Sequence, residues 1–208
     1  MDKKAIIELE NYYFKVKIEP VIAASDMADM IGVLIGLKPA MMGSFVLKEY
    51  EKLKISEFDE LLNKLGLRRV YFRHSFNYGN EMLTYEYYCI SKKLKIAKQT
   101  KEAFEKLWSL LDENGETTNE RSWARTTKKI GKLLGYPKTA VLDFAKDHDI
   151  ENKERIARME RNRYYAHSAK YEEEEYRAYD QVLNKAISRY APKTAEVLTK
   201  KTKKRWLD

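Results

Sequence analysis

All eight glycines of this chain lie at or before Gly135. From Tyr136 to Asp208 there is none, and only Pro137 and Pro192 interrupt the run. Tight turns draw on glycine for positive φ and on proline for a preset φ. A charge-dense stretch lacking both predicts long helices, over about 151–168, 171–190 and 192–205. The first constraint is therefore an all-helical C-terminal half.

The N-terminal half reads differently. Residues 3 to about 14 predict a helix with Ile6, Ile7, Leu9 and Tyr13 inward. The apolar stretch 21–37 follows Pro20 and contains Gly32 and Gly36, whose spacing would let a neighbouring backbone approach. Pro39 and Gly43 mark a loop. Ser56 opens a helix with Asp59 as a weak capping box; Phe58, Leu61, Leu62 and Leu65 line its inner face, and Gly66 ends it. A β-hairpin follows, with strands from 67 to 76 and from about 82 and a turn at Asn77-Tyr78-Gly79-Asn80. In its second strand Leu83, Tyr85, Tyr87 and Cys89 alternate with Met82, Thr84, Glu86 and Tyr88. Tyrosines on both faces imply cover on both sides. Thr100 is expected to cap a helix carrying Phe104, Leu107, Trp108 and Leu111. After the polar loop 112–118, Trp123, Thr127, Ile130 and Leu134 mark another helix, ended by Gly135. Pro137 starts the next, with Val141 and Phe144 inward.

The expected fold class is α+β and predominantly helical, with one β-hairpin in the N-terminal half. At roughly 100–200 residues per domain, 208 residues allow one domain or two small ones. The natural division is 1–115 and 116–208, unless the two form one continuous domain.

The single cysteine, Cys89, excludes a disulfide framework and a multi-cysteine zinc site. The apolar stretch 21–37 is broken by Asp26 and Asp29, too soon for a membrane span. These features imply a soluble, cytoplasmic protein without membrane contact, metal or cofactor. No Gly-Lys-Ser/Thr follows Gly32 or Gly36, so a phosphate loop is unsupported.

Charge gives the strongest functional hint. Forty Lys and Arg against 32 Asp and Glu leave a net +8. Between Arg121 and His148 stand Arg121, Arg125, Lys128, Lys129, Lys132, Lys138 and Lys146 against Asp143 and Asp147. The C-terminal tail adds Lys193, Lys200, Lys201, Lys203, Lys204 and Arg205. Such clustering suits RNA or DNA, whose phosphates release counterions when paired with Lys or Arg. It equally suits a solvated helix face and a lysine-rich tail. The candidate nucleic-acid contacts are Lys128, Lys129, Lys132, Lys138, Thr139, Lys146, Lys200, Lys201, Lys203, Lys204 and Arg205.

Residues 130–141 resemble the core of a helix-turn-helix. Gly131 would let two helices cross, Gly135 would supply a left-handed turn, and Val141 would pack the second helix on the first. That second helix would offer Lys138, Thr139, Leu142 and Lys146 to a groove, with Asp143 set against phosphates. Any tight helix corner uses the same small residues.

Arg161-Asn162-Arg163-Tyr164-Tyr165-Ala166-His167 resembles the Arg-polar-x4-His signature of the HEPN ribonucleases. That resemblance implies metal-independent RNA cleavage, with arginine on the scissile phosphate and His167 moving a proton. The candidate catalytic residues are Arg161, Arg163 and His167; the same pattern fits an ordinary surface helix. Asp147-His148-Asp149 diverge around a helix and do not converge on a metal.

A longer likeness runs along the chain. The order of Gly36-Leu37-Lys38-Pro39-Ala40, Tyr88-Cys89-Ile90-Ser91-Lys92, Gly131-Lys132-Leu133-Leu134-Gly135-Tyr136-Pro137 and His167-Ser168 resembles an archaeal family, domain of unknown function 483. The stretch 192–198 is also similar. That family's pattern places cysteines after Gly-Tyr-Pro and after the histidine. Here Thr139 and Ala140 occupy the first region and 169–175 the second. A metal site built on those cysteines does not carry over.

The leading expectation is nucleic-acid binding by the basic C-terminal half. The alternatives are a HEPN-like ribonuclease, or a protein-interaction or scaffold module. In the last case the tyrosine-rich hairpin contacts a partner or a second copy.

Overall fold

The computed structural model describes residues 1–78, 81–112, 117–144 and 170–204. Its order is helix α1 (Lys3–Val16), α2 (Pro20–Ile35), strand β1 (Ala40–Val46), a short α3 (Leu47–Tyr50), α4 (Ile55–Lys64), β2 (Arg68–Tyr78), β3 (Glu81–Ser91), α5 (Leu94–Trp108), α6 (Glu120–Leu133) and α7 (Lys138–Phe144). After these come α8 (Glu172–Glu175), which runs through a π-helical turn at Tyr176–Asp180 into α9 (Gln181–Tyr190), and α10 (Pro192–Lys204). The class is α+β, predominantly helical, as the glycine and proline distribution implies.

The hairpin is part of a three-stranded antiparallel sheet in the order β1-β3-β2. The expected loop at Pro39 and Gly43 is a strand instead: Ala40 pairs with Ser91 and Val46 with Tyr85. Glycine weakens most strands, but a Cβ on Gly43 would fall on the Tyr88 phenol oxygen. Here the glycine makes room for a buried tyrosine. In the hairpin β2 runs on to Tyr78, which pairs with Glu81. The connection is thus shorter than the expected four-residue turn, and Gly79 and Asn80 lie outside the described residues.

Successive strand side chains point to opposite faces, and both faces are covered, as the two sets of tyrosines require. Tyr88 faces α1, α2 and α4; Tyr13 of α1, Phe58 of α4 and Phe45 of the neighbouring strand β1 surround it with ring centroids 4.9–6.5 Å away. On the opposite face Phe72, Tyr87 and Cys89 meet Phe104 and Trp108 of α5, with Ile130 and Leu133 of α6 behind them. Tyr87 and Trp108 lie 4.7 Å apart. Burial pushes the Cys89 thiol up to about 12, which keeps it protonated and inert.

Two expected caps are displaced. Ser56 sits inside α4, whose N-cap is Lys54, and Asp59 pairs with Arg69 at 2.5 Å. Thr100 lies in mid-α5, fully buried, and its hydroxyl donates to the Ile96 carbonyl at 2.8 Å. Gly36 serves as the C-cap of α2 with φ +82, not as a packing surface; its partner Gly32 faces the Lys38 side chain.

The C-terminal helices complete the same core. Leu183, Ile187, Ala191 and Leu198 join the cluster of Ile6, Leu9 and Met27. Glu10, 1% exposed, accepts a hydrogen bond from the Thr194 backbone N–H at 2.7 Å.

Three of the segments quoted above meet. Gly135 takes φ +76, and a Cβ there would lie 2.7 Å from the Leu37 carbonyl oxygen. The Lys38 ammonium sits 5.6 Å from the centroid of the Tyr136 ring. The Ser91 hydroxyl donates to the Pro39 carbonyl at 2.7 Å. The turn after α6 is thereby anchored to the start of β1.

Candidate nucleic-acid interface

Helices α5, α6 and α7 form a unit mounted on the outer face of the sheet. Asn119 caps α6, accepting from the Ser122 N–H at 2.9 Å. At the other end the Tyr136 N–H returns to the Gly131 carbonyl at 2.9 Å, and Gly135 takes the left-handed conformation. That is the glycine-terminated ending expected of a helix stop. Helix α7 then begins after Pro137. A Cβ on Gly131 would stand 2.7 Å from Val141 Cγ2, so α6 and α7 cross at the separation the sequence implied.

Helix α6 divides sharply. Thr126, Thr127, Ile130 and Gly131 are buried. On the other side stand Arg121, Arg125, Lys128, Lys129 and Lys132, all exposed except the half-buried Lys128. At about 100° per residue these five occupy roughly 100° of the helix circumference, along a line of about 16 Å. The only acidic residue of α6 is Glu120, in its first turn.

Several cations elsewhere in the fold are neutralised locally. Lys64 pairs with Glu8 at 3.2 Å, Lys101 with Glu105 at 3.5 Å, Arg177 with Glu173 at 3.2 Å and Lys200 with Glu196 at 2.5 Å. Arg73 pairs with Glu86. Among the described residues, Arg121, Arg125, Lys128, Lys129, Lys132 and Lys138 have no ion-pair partner. Arg121 and Arg125 were outside the candidate set. Their four-residue spacing with Lys129 is the signal that places them on the face.

The other candidate contacts fare differently. Lys138 is exposed at the start of α7. The Thr139 hydroxyl hydrogen-bonds the buried Glu175 carboxylate instead of facing solvent. That contact ties Glu175 of α8 to α7, whose exposed side chains include Lys138 and the apolar Leu142. Lys200 is paired on α10, and Lys201, Lys203 and Lys204 continue that helix. Lys146, Arg205, Arg161, Arg163, His167 and the Asp147-His148-Asp149 run lie outside the described residues. Among the described residues no group of three or more His, Cys, Asp or Glu is placed to hold a metal. No described helix is long and apolar enough to cross a membrane.

A second polar cluster lies inside the core. The Tyr13 and Tyr88 hydroxyls touch one another, and both reach Asp26 Oδ2, at 2.7 and 3.1 Å. Lys17 Nζ lies 3.4 Å from both Asp26 and Glu49 and donates to the Ser44 carbonyl. Glu49 also accepts from the N–H groups of Ile18, at 2.8 Å, and Val46, at 3.1 Å. Burial raises the Asp26 carboxyl to about 7, with Lys17 pulling the other way. Each carboxylate is engaged by its neighbours, so the cluster knits α1, α2, β1, α3 and β3 together. Charge was the sole sequence signal here: Asp26 read as an interruption in an apolar run.

No family model, curated protein or solved structure matches the chain.

Proposed function

We propose that this protein binds nucleic acid through the cationic face of α6, holding the phosphate backbone rather than reading bases with α7. The observation that carries this reading is the row of five cations along one side of α6, none with an acidic partner among the described residues and with Glu120 the helix's only acidic residue. Unpaired cations in a row repel one another, and a polyanion offsets that repulsion by releasing its counterions. Helix α7 is poorly suited to a groove: Thr139 is engaged with the buried carboxylate Glu175 of α8.

The test is fluorescence anisotropy with labelled mixed-sequence RNA and duplex DNA across a salt series. Five phosphate contacts correspond to a slope of log K against log salt of about −4.5 on duplex and about −3.5 on single strands. Affinity should fall about 100- to 500-fold between 50 and 200 mM salt. Replacing Arg125 and Lys129 together by Gln should lower the slope by about 2. Lys200→Gln, whose lysine is already paired with Glu196, should leave it unchanged. Absence of binding at 50 mM salt, or a slope indifferent to the α6 pair, overturns the proposal.

A further inference from the structure

The inner side of the α5–α6–α7 unit holds a partly open cavity of about 280 Å³. Its walls include Trp123, Thr127, Ile130, Tyr136, Ala140 and Val141; they are mostly apolar, and among the described residues no charged side chain lines it. Thr127 is 9% exposed, and its hydroxyl oxygen has no hydrogen-bond partner. A buried hydroxyl without a partner is costly, so this one calls for an explanation.

Water does not supply it. The Thr127 oxygen is itself covered in this rotamer, so water entering the cavity does not reach it. The cavity has nearly twice the volume of a 150 Å³ cavity that accepts benzene. A molecule of roughly ten to twelve non-hydrogen atoms fits that space. A charged group would be stranded without a counterion. Threonine on a helix occupies two χ1 rotamers, so one rotation exchanges methyl for hydroxyl at the wall.

We propose that this cavity is a binding site for a small uncharged organic molecule, mostly apolar and carrying a single hydrogen-bonding group that pairs with Thr127. The inference does not rest on nucleic-acid binding, because the cavity lies on the side of α6 away from the cationic face.

The test uses 4-propylphenol as probe, 4-propyltoluene as its isostere without the hydroxyl, and 4-propylbenzoate as the charged control. Backbone amide shifts of the full chain are followed by NMR during each titration. The phenol should bind at micromolar to submillimolar concentration and shift the amides of Ile130 and Val141. The benzoate should bind at least tenfold more weakly. Thr127→Val should weaken the phenol by about three- to tenfold and leave the toluene unweakened. Ala140→Leu, which puts three more carbons into the space, should abolish binding of both neutral probes while leaving the amide spectrum dispersed. Should Ala140→Leu fail to fold, the near-isosteric Thr127→Val still decides the matter. The proposal is overturned if none of the probes moves these amides at millimolar concentration. Equal phenol binding by wild type and Thr127→Val also overturns it.

Discussion

The crossing of α6 and α7 gives the sharpest forecast. Gly131→Ala adds one methyl at a helical position, where propensity alone would stabilise the protein by about 1 kcal/mol. Its φ is negative, so no backbone strain offsets that gain. Yet the new carbon would stand 2.7 Å from Val141 Cγ2 and 3.3 Å from Cγ1. Val141 borders the cavity described above, but a β-branched side chain on a helix is held close to one χ1 rotamer, which limits its retreat. Forcing a methyl into a packed contact costs about 1–3 kcal/mol. Set against the propensity gain, the net effect should be a loss of up to about 2 kcal/mol. Val141→Ala removes the atoms in the way, at its own cost of about 1–3 kcal/mol for lost burial. The double variant should then be more stable than the sum of the singles by about 1–2 kcal/mol. Urea unfolding of wild type, both singles and the double, followed by far-UV circular dichroism, measures all four corners. If Gly131→Ala is stabilising by the propensity value and the cycle shows no coupling, the helices do not cross as described.

Three further outcomes concern the core. Asp26 is raised from 3.8 to about 7, so the native state holds its proton more tightly than the unfolded chain. The stability it contributes is fully present below about pH 4 and is lost as pH rises towards 7, by roughly 2–4 kcal/mol. Asp26→Asn should flatten the fall of Tm between pH 4 and 7; an unaltered profile would show that another group sets it. Gly43→Ala should destabilise by at least about 2 kcal/mol, since its methyl falls on the fully buried Tyr88. Combining it with Tyr88→Phe should recover part of that loss, and chemical denaturation reads both. Glu10→Ala should cost about 1–3 kcal/mol by leaving the Thr194 N–H buried and unpaired, whereas Glu10→Gln keeps an acceptor and should lose less. Equal losses in the two variants would remove the role given to that bond.

What was legible in the sequence is what local spacing encodes. Ile6, Leu9 and Tyr13 in α1 and Phe58, Leu61 and Leu62 in α4 announce their buried faces by periodicity. So do the alternating tyrosines of β3 and the four-residue spacing of the α6 cations. What was illegible depends on partners far along the chain. Strand β1 lacks the β-branched alternation of an ordinary strand, and its pairing is decided by β3, whose Tyr88 needs the space over Gly43. Ser56 and Thr100 both resemble caps, but the chain turns helical one residue before Ser56 and six before Thr100. Thr139 reads as an exposed polar residue until Glu175 arrives from another helix. The Asp26 cluster draws on five elements, so nothing in the neighbourhood of Asp26 foretells its company.

The bond between Glu10 and Thr194 has a consequence for how the chain reaches this state. It joins positions 184 residues apart, and Leu198 of the same final helix helps to close the core begun by α1. During synthesis α1 and α2 emerge first, with a carboxylate and an apolar face whose covering helix is still inside the ribosome. Such long-range closure slows folding and prolongs exposure of sticky surface. Completion of the core therefore waits until α10 has been made and has docked on α1. Until then the apolar faces of α1 and α2 that α10 covers stay open to wrong partners.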